Sequence, residues 1–131
     1  MRSVIDFTLE EISLPREEIL RNQGVPDKAE LSGNFERIFA EAVELFQVLA
    51  EPKGIIDRIE ITDFEAVFRG EGLNERENPV DRIYRQSECL ALFAATLGPV
   101  LSSRVSEMFN AGNYADGYML DSVSSCAADK L

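Results

Sequence analysis

No histidine occurs among the 131 residues, which removes the commonest acid–base group active near neutral pH and the commonest metal ligand. Triads and zinc sites built on imidazole are therefore excluded. Carboxylates, hydroxyls and backbone amides must carry whatever chemistry the chain performs. The first place where they gather is the last segment, YADGYMLDSVSSCAADKL. Read as a helix, it sets Leu120, Val123, Ala127 and Leu131 on one face and Tyr118, Asp121, Ser122, Ser125 and Asp129 on another. A carboxylate there can hold a ribose hydroxyl or a cationic ligand, and a tyrosine ring can lie against a sulfonium by cation–π attraction. A plain solvent-facing side of a helix has the same composition.

The second place is the turn Ala94-Ala95-Thr96-Leu97-Gly98-Pro99. Small side chains at a strand end, followed at once by a helix, expose amides that can receive an anionic group. Tight packing of strand on helix explains the same residues. Asp57, Glu60, Asp63 and Glu65 are close in sequence, but strand alternation divides them between two faces. They read as solvated surface rather than a metal site. Gly70-Glu71-Gly72 lacks the third glycine of a dinucleotide fingerprint, with Glu75 in its place, and reads as a turn. G-x-S-x-G, the phosphate-binding G-x-x-x-x-G-K and the D-x-D-x-D-G calcium loop are absent.

The elements that would position these residues follow from periodicity and punctuation. Val4 to Leu9 alternates as a strand. LPREEILRNQG is a short helix, with Pro15 at its start, Glu17 and Glu18 in the first turn and Gly24 just past its end. Asn34 to Ala50 carries the clearest helical stripe, Phe35, Ile38, Phe39, Ala42, Val43, Phe46 and Leu49, capped by Ser32 or Asn34 and stopped by Pro52 and Gly54. GIIDRIEITDFEAVFRGEG is expected to form one or two antiparallel strands broken near Thr62-Asp63, with one face wetter than the other. Asn78-Pro79 should open a helix with Val80, Ile83 and Tyr84 as its stripe. The apolar run Cys89 to Leu97 reads as a strand buried on both faces, and Pro99 starts a helix striped by Leu101, Val105, Met108 and Phe109.

One domain of this length buries about two thirds of its unfolded surface. The net charge of −11, from 13 basic and 24 acidic residues, repels phosphate backbones and anionic membrane surfaces. No nucleic-acid or membrane partner is expected. No apolar run approaches the ~20 residues that span a bilayer, and Asp6, Glu10 and Glu11 interrupt any leader-like N-terminus. Cys89 and Cys126 form no C-x-x-C pair and suit a reducing compartment, so a cytoplasmic protein with buried free thiols is expected.

The succession LPREEILRNQG, LAEPKG, ECLALFAATLGP and FNAGNYADGYMLDSVSS, in this order across nearly the whole chain, resembles the activation domain of cobalamin-dependent methionine synthase, in particular its small stand-alone relatives. ALFAATLGP followed by GNYADGYMLDSVSS is the most specific part. The resemblance implies a groove beside an antiparallel sheet that binds S-adenosylmethionine. It also implies a methyl group delivered to cobalamin on a corrinoid-binding protein or domain, with the electron coming from a flavodoxin-like donor. An acidic residue on the last helix serves the cofactor in that family. Aligning the helix brings Ser125 near that position, with Asp121 and Asp129 one turn to either side and Tyr118 on the same stripe. The family's arginine and Gly-Tyr motif follows the last helix and has no counterpart in residues 1–131, because Gly117-Tyr118 lacks a suitably placed arginine. The chain reads as ending in mid-helix, like the N-terminal part of an activation domain.

The expectation is thus an α+β domain spanning residues 1–131. A small, mainly antiparallel sheet has a buried central strand at about 90–97, covered by the Asn34 to Ala50 helix and the two C-terminal helices. Its expected role is corrinoid reactivation within methionine biosynthesis. The alternative is a non-catalytic acidic interaction domain that has lost its cofactor, with an exposed sheet edge that favours a homodimer.

Overall fold

The computed structural model describes residues 2–67 and 84–131. The expected turn at Gly70-Glu71-Gly72 and most of the helix expected from Asn78 lie outside the described residues. In chain order the elements are β1 (Arg2–Asp6), a 3-10 turn (Leu9–Glu11), α1 (Arg16–Asn22), α2 (Gly33–Leu49), β2 (Lys53–Glu60), α3 (Ile61–Val67), a second 3-10 turn (Tyr84–Gln86), β3 (Cys89–Thr96), α4 (Pro99–Asn110) and α5 (Tyr114–Ala128). Helices and a three-stranded antiparallel sheet make this an α+β fold.

The chain divides into two compact units. One comprises the residues up to Ile5 with Gly54–Ala94, the other Asp6–Lys53 with Ala95–Leu131. The first holds most of the sheet, in the order β1-β2-β3. Along β2, Ile55, Asp57 and Ile59 are half-buried while Ile56, Arg58 and Glu60 are exposed, the wetter face that alternation predicts. Arg2 on β1 pairs with Asp57 on β2 at 3.4 Å.

Two expectations are corrected here. The strand at 90–97 exists as β3, but it lies at the edge of the sheet with β2 in the middle, and Ala91 through Thr96 are exposed. A continuous apolar run signals removal from water, and an edge strand without a described neighbour on one side shows the same composition. The second half of GIIDRIEITDFEAVFRGEG, read as a possible second strand, is instead α3 through Val67. Its half-buried side chains, Ile61 and Phe64, stand three residues apart, a helical spacing rather than the alternation of a strand. β1 also ends early, at Asp6. Beyond it Glu11 Oε2 accepts the Thr8 amide at 2.7 Å and tightens the chain into a 3-10 turn.

The second unit is built around α5. Met119, Leu120, Val123, Cys126 and Ala127 are all but fully buried, and α5 packs against α1, α2 and α4. From α2 come Ile38, Ala42 and Phe46, successive turns of one stripe; α1 adds Ile19 and Leu20, and α4 adds Leu101. The Ser32 hydroxyl caps α2 by accepting the Phe35 amide at 3.2 Å. Gly117 explains how α4 and α5 approach each other, since a Cβ there would meet Phe109 Cε2 at 3.3 Å and Met108 Cβ at 3.4 Å. α1 is tied to α5 by Gln23 Nε2, which donates to the Tyr118 carbonyl at 3.2 Å and to Ser122 Oγ. At the end of the chain Lys130 Nζ meets Glu18 Oε2 at 3.0 Å.

Candidate functional site

The candidate site lies wholly within the second unit, where the end of β3 turns into α4. At Gly98 the backbone takes φ 88° and ψ 164°, a region open only to glycine. A Cβ at this position would stand 3.0 Å from Glu51 Cβ. The turn is pinned from behind, because the Glu51 amide donates to the Leu97 carbonyl at 2.8 Å and Leu97 is buried in the core. Pro99 then starts α4 at a position where no N–H is needed.

A groove of about 320 Å³ opens in front of this turn. Ala95, Thr96, Leu97 and Gly98 form one wall, Leu101, Ser102 and Val105 of α4 a second, and Asp121, Ser124, Ser125 and Ala128 of α5 the third. The volume falls at the lower end of the ~300–1,000 Å³ common for ligand sites. Its chemistry is mixed: an aliphatic patch, four serine or threonine hydroxyls beyond the backbone carbonyls, and one carboxylate. The Gly98 amide already donates to Thr96 Oγ1 at 3.0 Å, and Pro99 has no N–H. The turn therefore offers close backbone approach rather than a ring of anion-binding donors.

Of the four residues singled out from the sequence, the groove brings Asp121 and Ser125 together. Asp129 caps the C-terminus of α5 and is absent from the lining, as is Tyr118. The Tyr118 ring packs edge-on against Phe109, centroids 5.1 Å apart, and stays 59% exposed. Ser122, assigned to the same stripe, turns toward α1 and accepts Gln23 Nε2. Sequence reasoning missed Ser124 and Ala128, although Asp121, Ser124, Ser125 and Ala128 form an i, i+3, i+4, i+7 series. Ser124 Oγ donates to the Leu120 carbonyl at 2.7 Å, leaving its lone pairs toward the groove as acceptors.

A larger cleft, about 390 Å³, lies between α2, α4 and the start of α5. Its cations are answered by their neighbours: Arg37 bonds Glu41 and Asn34 at 2.9 Å, and Arg104 stands 3.8 Å from Glu107. It is a surface ion-pair cleft. Cys126, the fully buried thiol, is no nucleophile; burial raises its pKa, with Glu18 adding to the effect. Among the described residues no cluster of three or more Cys, Asp or Glu could share a metal ion, and no helix is long and apolar enough to cross a membrane.

No model of a known protein family matches the chain, and no curated protein matches it either.

Proposed function

We propose that the chain is a cytoplasmic corrinoid-reactivation module of the methionine synthase type that takes S-adenosylmethionine in the groove between the end of β3, α4 and α5. One observation carries the reading. The two stretches most specific to the resemblance, ALFAATLGP and GNYADGYMLDSVSS, are separated by the length of α4 and yet supply opposing walls of one groove.

The residues present fit such a ligand in kind. Asp121 offers two acceptor oxygens for a ribose diol, Leu101, Val105 and Ala128 an aliphatic wall for adenine, and Ala95 and Gly98 a small-residue wall along which the backbone can be approached closely. The chemistry that S-adenosylmethionine brings when bound is an electrophilic methyl group for a reduced corrinoid on a partner protein or domain, the electron coming from a flavodoxin-like donor. The protein's own part is to bind and orient. A net charge of −11 gives no long-range attraction to an acidic reductase, so docking there would use a local basic patch.

Calorimetric titration with S-adenosylmethionine tests this directly. Asp121→Ala should weaken binding roughly 10- to 100-fold, the worth of a charged hydrogen-bond acceptor, while Asp129→Ala should leave it unchanged. Absence of binding by this chain and by any longer natural form sinks the proposal.

A second reading, an acidic interaction domain without a cofactor, is favoured by the exposed edge strand β3. Titration that finds no ligand, together with a stable protein complex, would establish it over the first.

A further inference from the structure

β3 exposes large apolar side chains to water on both faces of the sheet, as Val4 and Ile5 also do on β1. Leu92 and Phe93 are sequence neighbours on a strand and so point to opposite faces of the sheet. Both are exposed, at 43% and 78%. One side of β3 bonds to β2, and among the described residues no strand pairs with its other side. Edge strands are normally guarded by charges, proline or a bulge. β1, at the opposite edge, carries Arg2 and Asp6, whereas Cys89–Thr96 contains no charged residue and no proline.

We propose that β3 is the two-fold interface of a homodimer, pairing antiparallel with β3 of a second copy to join two three-stranded sheets into one of six. Two features argue for a second copy rather than another partner. The first is charge. A partner attracted by the acidity of this protein would be basic and would seek carboxylates at its docking edge, and β3 has none. Two chains of net charge −11 repel each other, so a contact between copies needs a neutral surface, which these eight residues provide. The second is self-complementarity. A two-fold axis near Leu92-Phe93 brings the apolar pair of one copy beside that of the other on both faces of the joined sheet. It also carries the flanking Glu88 residues to opposite ends, away from each other. This holds whether or not the groove takes a ligand.

Light scattering on the full chain, across protein concentration and NaCl, is the test. A mass of two chains is expected, with dimerisation strengthening as salt screens the repulsion. Phe93→Lys and Phe93→Glu should each weaken the dimer at least about tenfold, through lost apolar burial and like charges brought together, with the helical circular dichroism retained. Mixing the two variants should restore a dimer, because opposite charges then face each other across the axis. Hydrogen exchange on the unaltered chain provides a readout independent of any variant: protection of residues 89–96 should rise with protein concentration. A monomer at every concentration and salt, concentration-independent exchange, or a dimer that survives both substitutions would overturn the proposal.

Discussion

At Gly98 the requirement for one particular residue is clearest. Its positive φ and the 3.0 Å approach of a would-be Cβ to Glu51 act together, so Gly98→Ala should cost about 1–3 kcal/mol in urea unfolding. The same substitution should perturb the groove wall and weaken any ligand seated there. A second residue-scale prediction concerns Glu36. The Arg16 guanidinium, which donates to the Glu36 carboxylate and lies 5.1 Å above the Phe39 ring, holds that carboxyl below its ordinary pKa. A depressed folded-state pKa means a stabilising contribution present above the unfolded value and lost as pH falls through the folded one. Thermal unfolding of Glu36→Gln should therefore fall short of the parent at neutral pH, with the gap closing as pH falls below the ordinary carboxylate range. A constant difference between the two at every pH would show that the pair is not responsible.

For the elements, the decisive contrast is between α5 and β3. β3 reads as a continuous apolar run and α5 as a helix with one apolar and one polar face, so the core is expected to form around the strand. It forms around the helix, because α5 is touched by three other helices while β3 ends the sheet. Leu120→Ala should accordingly cost about 2–5 kcal/mol in denaturant unfolding, the range for a large side chain removed from a packed interior. Leu92→Ala, measured at a dilution where copies are separate, should cost under about 1 kcal/mol. Helix boundaries were legible: Pro15, Ser32, Pro99 and Gly24 after α1 stand where local backbone chemistry requires them. The second half of GIIDRIEITDFEAV was not. β-branched and aromatic residues favour strands on average, yet at Ile61 and Phe64 the half-buried positions recur at helical spacing.

Over the whole molecule, charge dominates. With 24 acidic against 13 basic residues, self-repulsion opposes compaction at neutral pH. Raising ionic strength from about 0.01 to 0.15 M shortens the screening length from about 30 to 8 Å, so the thermal midpoint should rise with NaCl at pH 7. A falling midpoint would mean that surface ion pairs such as Arg37–Glu41 outweigh the repulsion. What the sequence by itself determined is the set of elements in the helical unit, the stripe of α2, and the absence of imidazole chemistry. All of these follow from composition and from interactions within a few residues. Only the tertiary structure decided that β2 is the middle strand and that α5 is the centre of the core. It also decided that Asp121 and Ser125 line the groove while Tyr118 and Asp129 do not. The physical reason is the same in each case. An apolar run reports that it avoids water without saying what covers it, and a 15-residue helix buried against several neighbours leaves its polar arc unassigned until those neighbours are in place.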